Sequence, residues 1–183
     1  ELFIGCAGGI DTLASFKYKT RIFPSGHIAA KISVRGLKGG HSGDEIHKSP
    51  EGNSNKIMNR FLWNASRDHN IRLSEFDGGN LRNAIPREAT AIIGVQAAKW
   101  KDVNEYLKDY SQVIKKEISL KEPDLEIQIE KTDAPEVVIN RKTQNRLLSA
   151  LYACPHGVVK WSDDIEGLVE TSTNLASVKF RDK

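Results

Sequence analysis

The sequence predicts an α+β fold: a ferredoxin-like βαββαβ sandwich, with an antiparallel sheet and helices on one face, followed by a partial second copy. Three observations carry that prediction. Apolar and polar residues alternate at period two around 28–34 and 125–130, with two further strand-like runs at 71–76 and 89–95. Two longer runs carry apolar residues at helical spacing, and the order of all six runs over residues 28–131 is β-α-β-β-α-β. The chain has 183 residues, 39% hydrophobic and 28% charged, enough for one sizeable core or two small ones, and too apolar for a disordered chain.

The elements follow in order. Phe16, Tyr18, Thr20 and Ile22 face one way and Lys17, Lys19 and Arg21 the other. After the turn Pro24-Ser25-Gly26, Ile28, Ala30, Ile32 and Val34 alternate with Ala29, Lys31, Ser33 and Arg35, which predicts a hairpin. Residues 36–43 hold four glycines in eight positions and read as loop. Asn53 or Ser54 can cap a helix bearing Ile57, Met58, Phe61, Leu62 and Ala65. Strands at 71–76 and 89–95 are joined by DGGNLRNAIP. Asp102 with Glu105 forms a capping-box pattern ahead of the stripe Val103, Tyr106, Leu107, Tyr110, Val113, Ile114 and Ile118. Pro123 bars that helix, and Leu125, Ile127 and Ile129 then alternate with Glu126, Gln128 and Glu130 as a strand. Beyond it come a helix with Leu147, Leu148 and Leu151, stopped by Pro155, and strands at 158–161 and 168–180. If 125–131 opens a second copy, that copy is β-α-β-β and lacks its last helix and strand.

Three segments are therefore expected: 1–15 as a tail or linker, 16–131 as a first subdomain, and 132–183 as a partial second one. Met58 is the only methionine and residue 1 is Glu in a strand-like run, so the chain reads as a piece of a longer protein. The net charge of +3, from 27 basic and 24 acidic residues, is mild and scattered, with no basic block of the kind a nucleic-acid binder concentrates. No stretch approaches the ~18 apolar residues of a membrane span. Cys6 and Cys154 lie far apart and read as reduced, cytosolic thiols.

Chemistry is sought first at the five histidines. His27, in a turn, His69, after a helix, and His156, after a proline, read as surface residues. His41 stands in Gly39-Gly40-His41-Ser42-Gly43, where small neighbours leave the imidazole open. It suits a hydrogen bond to a substrate oxygen, or equally a turn histidine capping the next segment. His41, Asp44 and His47 are spaced by three and would chelate zinc only on a helix, which Gly40 and Gly43 disfavour. HExxH and the phosphate-loop pattern are absent, and Ser42 beside His41 lacks an acid and an oxyanion hole. The loop 78–83 offers amide and guanidinium groups suited to a carboxylate or carbonyl, or is simply a turn. Glu170, Ser172 and Asn174 form a polar stripe that lines a cleft or faces solvent; Asp163 and Asp164 read as turn residues.

Together, GLKGGHSGDEIH (36–47), GGNLRNAIPREA (78–89), GLVETSTNLA (167–176) and the opening run 2–12 resemble the aminoacyl-histidine dipeptidases, also called Xaa-His or cytosol non-specific dipeptidases. These belong to the carnosinase- and aminoacylase-like family of zinc exopeptidases. The resemblance spans almost the whole chain. It implies the inserted lid of a cytoplasmic enzyme whose catalytic domain holds two zinc ions, with the metal ligands and general base outside this chain. His41 then matches the lid histidine that reaches the scissile carbonyl and helps hold the oxyanion. Asn83 matches the lid asparagine that contacts substrate, and no role passes to Arg82 or Arg87. On this reading the partners are a dipeptide, the enzyme's own catalytic domain and a second copy in a homodimer, with no nucleic acid and no membrane. The isolated chain would bind no zinc and hydrolyse nothing.

Two rivals remain at this level. One is a non-enzymatic ferredoxin-like module that binds a ligand, dimerises, or binds RNA through Phe16 and Tyr18. The other is a self-contained metalloprotein built on His41, Asp44 and His47.

Overall fold

A computed structural model describes residues 8–48, 52–118 and 120–180 of the chain. Cys6 and most of the opening run lie outside the described residues. The elements are β1 (Thr20–Ile22), β2 (His27–Arg35), β3 (Gly40–His41), α1 (Ser54–Asp68), β4 (Arg72–Gly78), β5 (Ala84–Ile85) and β6 (Ala89–Gln96). They continue with α2 (Trp100–Ile118), β7 (Glu126–Lys131), β8 (Val137–Ile139), α3 (Arg141–Ala153), β9 (Gly157–Trp161), β10 (Val169–Thr173) and β11 (Val178–Lys179).

Five strands form one antiparallel sheet in the order β11-β4-β6-β2-β7. Within it, β2-α1-β4-β6-α2-β7 is the predicted split βαβ arrangement, and the α+β class read from the sequence is the observed one. Register explains the core. Ile129, Ile32, Ala91 and Phe76 lie in one row across β7, β2, β6 and β4, and Ala30, Ile93 and Leu73 in the next. These residues form a common apolar cluster with Ile57, Met58, Phe61 and Leu62 of α1 and with Val103, Leu107, Tyr110 and Ile114 of α2.

Leu73 and Phe76 are three apart, so a regular strand would send them to opposite faces. Ser74 is an extra residue between the Leu73–Ile93 and Glu75–Ile92 pairs, and this bulge returns Phe76 to the core face. The Ser74 hydroxyl donates to the Val137 carbonyl at 2.6 Å. Gln144 of α3 accepts the Leu73 N–H at 2.9 Å and donates to Ser66 Oγ and the Ile71 carbonyl at 2.8 and 2.9 Å.

Several local readings need correction. β1 does not hairpin with β2; both edges of β2 are taken by β6 and β7, and β1 pairs with β8 instead. Within the expected loop 36–43, β3 makes a two-residue bridge to β5. α2 begins at Trp100 rather than Asp102, which sits in its first turn, where a carboxylate favours the helix dipole. The run 168–180 splits into β10, which pairs with β9, and β11, which joins the main sheet.

The C-terminal segment from residue 126 runs β-β-α-β-β-β rather than the expected β-α-β-β, because β8 is inserted before α3 and the last run splits in two, and its strands do not make a second sheet of their own. β7 and β11 lie in the first sheet, β8 pairs with β1, and only β9 and β10 pair with each other. Ile139, Leu147, Leu148 and Val178 join the same apolar cluster as α1 and α2. The physical reason is α3: Gln144 satisfies the bulged β4, and Asn59 of α1 donates to the Leu148 carbonyl at 3.0 Å. No helix among the described residues is long and apolar enough to cross a membrane.

Candidate functional site

The site is built where β3 meets β5. Gly39 and Gly40 have φ of +67° and +144°, backbone that L side chains rarely adopt. A Cβ at Gly39 would strike the stem of Arg87 and approach the Ile85 carbonyl to 2.9 Å. Glycine is thus what lets the 39–41 backbone lie against 84–87. Gly40 then pairs with Ile85 and His41 with Ala84, and the Ser42 N–H donates to the Asn83 carbonyl at 2.9 Å. The two residues singled out from separate motifs, His41 and Asn83, become neighbours, both exposed.

The imidazole is oriented from within its own loop. His41 Nδ1 accepts the N–H groups of Gly43 and Asp44 at 3.1 and 3.3 Å. Asp44 Oδ2 stands farther off at 3.7 Å, an ion pair only for a protonated ring. The closer amide donors decide the matter: Nδ1 presents a lone pair, so the neutral ring carries its proton on Nε2. Glu45 closes the turn by accepting the His41 N–H at 2.7 Å, while its own N–H donates to the His41 carbonyl. The base of the loop is fixed by Glu122, which accepts the Lys38 N–H at 2.8 Å, and by Arg87 Nε, which donates to the Leu37 carbonyl at 3.1 Å. Chemically, the bridge brings an imidazole and a carboxamide-bearing residue to adjacent backbone positions, both exposed.

The zinc trio does not fit. His41 Nδ1 is engaged by two amides, and His47 is exposed with its ring 6.2 Å from that of Trp161. Among the described residues no group of three or more His, Cys, Asp or Glu could hold a metal ion. Arg82 pairs with Asp11 at 3.0 Å on the surface. The polar stripe also separates: Glu170 pairs with Lys160 at 2.6 Å, whereas Asn174 turns inward and donates to the Ala84 carbonyl at 2.8 Å. Tyr18 packs against the core and against the Phe180 ring at 5.7 Å, so Phe16 alone of the two aromatics stays exposed.

His156 is the residue the sequence misread. It is half-buried, and its Nδ1 accepts from Asn53 Nδ2 at 3.2 Å. Burial, with Lys56 nearby adding a positive charge, pushes its pKa down to about 4. Lys56 itself is lowered by burial and donates from Nζ to the carbonyls of Leu151, Tyr152 and Cys154, capping the C-terminus of α3. Only the flanking Pro155 and Gly157 mark that stretch in the sequence, and neither signals burial.

Residues 25–121, more than half of the chain, match the family described as the peptidase dimerisation domain of M20 type. The chain is 38% identical over 182 residues to the cytosol non-specific dipeptidase of Escherichia coli strain K12, covering all of this chain and 37% of that protein. It also superposes on the crystal structure of aminoacylhistidine dipeptidase from Vibrio alginolyticus with a TM-score of 0.88 and 38% identity, over 91% of this chain and 34% of that one. The chain therefore spans little more than a third of the length of these relatives. By sequence and by fold, it belongs to the M20 peptidase dimerisation domain family.

Proposed function

We propose that this chain is the lid and substrate-binding domain of a cytoplasmic metallo-dipeptidase acting on Xaa-His and related dipeptides. Two zinc ions held by a separate catalytic domain would supply the Lewis acidity; no residue set described in this chain fits them. The segment 1–15 is then the tail of that catalytic domain. The reading is supported by one observation above all: the β3–β5 bridge pairs His41 with Ala84, the chain neighbour of Asn83, and two amides hold the His41 ring at Nδ1, which leaves Nε2–H as the donor of the neutral ring.

In this role His41 donates to the oxygen of the scissile carbonyl as negative charge gathers there, a contact worth most in the transition state. Asn83 hydrogen-bonds the bound dipeptide, and closure of the domain over the substrate excludes water. By itself the chain hydrolyses nothing. In the full-length protein, His41→Ala lowers kcat about 10²–10³-fold with little change in melting temperature, as for loss of one oxyanion donor. Near-normal turnover of β-alanyl-histidine by that variant would end the assignment.

A second role is homodimerisation, favoured by the family match. Among the described residues β7 is an edge of the main sheet, hydrogen-bonded on one side to β2, and an open edge pairs readily with a second copy. Sedimentation of the full-length protein as a monomer at micromolar concentration would exclude it.

A further inference from the structure

The bridge that joins His41 to Asn83 is only two residues long on each strand, too short to hold its own register. Something else must fix the height of the 78–86 loop. Residues 174–177 do so from beneath. Asn174 Nδ2 donates to the Ala84 carbonyl at 2.8 Å, and Ala84 is both the neighbour of Asn83 and the register partner of His41. Ser177 Oγ donates to the Gly79 carbonyl at 3.1 Å, and Gly79, at φ +68°, lies so close to the Ala176 carbonyl that no Cβ would fit between them.

The orientation of the Asn174 carboxamide is itself determined. Asn53 is fully buried as the N-cap of α1, and its Oδ1 accepts the Lys56 N–H at 3.1 Å. Its Nδ2 must therefore face the acceptors opposite: Asn174 Oδ1 at 3.4 Å, His156 Nδ1 at 3.2 Å and the Leu175 carbonyl at 3.2 Å. With Oδ1 of Asn174 turned to Asn53, its Nδ2 points at Ala84. A directional chain of amides thus runs from the N-terminus of α1 to the loop bearing Asn83.

We propose that Asn174 is a positioning residue for substrate binding, setting Asn83 at the height from which it reaches the dipeptide. The inference rests on the role of Asn83 proposed above. Asn174 touches no substrate; it acts through the Ala84 carbonyl. In Asn174→Asp the shape is kept but a carboxylate replaces the N–H donor, and its charge repels the Ala84 carbonyl it formerly held.

The test uses the full-length zinc-loaded protein with β-alanyl-histidine as substrate. Asn174→Asp is expected to raise KM about tenfold, since displacements of an ångström cost up to about 10²-fold in such sites. Its melting temperature stays within about 4 °C of the parent. In an Asn83→Ala background the same substitution adds less than about twofold, because the group it positions is gone. If Asn174→Asp leaves KM unchanged while Asn83→Ala raises it, the positioning role fails and the reading of Asn83 stands. If the two substitutions multiply, Asn174 is structural and the inference is overturned. If Asn83→Ala is itself silent, both fall. Asn174→Ala, which removes the Nδ2 donor without adding charge, must show the same KM shift should the Asp variant fold poorly.

Discussion

The two loops that meet at the site are held in opposite ways. The tip around His41, residues 40–45, closes on itself: Glu45 accepts the His41 N–H, and His41 Nδ1 accepts the amides of Gly43 and Asp44. The loop around Asn83 is held from far away in sequence, by Asn174 and Ser177, some ninety residues downstream. A self-closed tip sets the angle of its own ring through local contacts, although the bridge to Ala84 and Ile85 still places it. A remotely strapped loop transmits whatever happens at its strap. The difference teaches that the two candidate residues, though adjacent, should respond to different perturbations.

The largest expected effect that separates them is acid. His156 shares the buried Asn53 carboxamide with Asn174 of the strap, and its pKa is lowered to about 4, against about 6.5 for an unfolded histidine. As pH falls from about 6.5 to 4, the unfolded chain takes up a proton that the folded one refuses, so stability drops; above that window the residue adds no pH dependence. Allowing for its partial exposure, the loss is about 2–3 kcal/mol. Urea unfolding at pH 7 and pH 4 should show it, and His156→Phe should flatten that part of the slope. An unchanged slope would remove the strap from the comparison.

A smaller effect belongs to the His41 tip alone. Gly43 does not have the positive φ that would demand glycine, but a Cβ there would lie 3.1 Å from His41 Cε1 and 3.2 Å from Nδ1. Gly43→Ala should shift the ring by a few tenths of an ångström and lower kcat of the full-length protein about tenfold, leaving KM near normal. A change in KM instead would mean that the tip is not independent of the Asn83 loop. The smallest effect is at Arg82, beside Asn83. Its pair with Asp11 is exposed on both sides, 82% and 63%, so Arg82→Ala should change stability by under about 0.5 kcal/mol. A larger loss in thermal unfolding would show that the opening segment also straps this loop.

Much of this architecture was legible. The helices around Phe61 and Tyr110 and the strands around Ile32 and Ile93 follow from apolar period, because one buried face of a long element writes itself into every third, fourth or second residue. Asn53 was readable as a cap for the same local reason. The pairing of β1 was not: a Pro-Gly turn between two alternating runs looks like a hairpin whether or not the second strand has a free edge. Nor was the splitting of 168–180 between two sheets, since a strand's pattern does not name its partner.

At the site, His41 stood out because a histidine among glycines has few structural duties, and Asn83 was assigned only through resemblance. His156 and Asn174 were missed as partners because their roles depend on a single buried carboxamide, Asn53, more than a hundred residues away. Sequence by itself determined the class of fold and the β-α-β-β-α-β order of its long elements over 28–131, both of which rest on a repeated period. Tertiary structure alone decided which strands share an edge, that 137–180 joins the first core, and that Asn83 is held beside His41. Those outcomes depend on buried polar groups finding partners, and a buried donor takes whichever acceptor the completed fold brings to it.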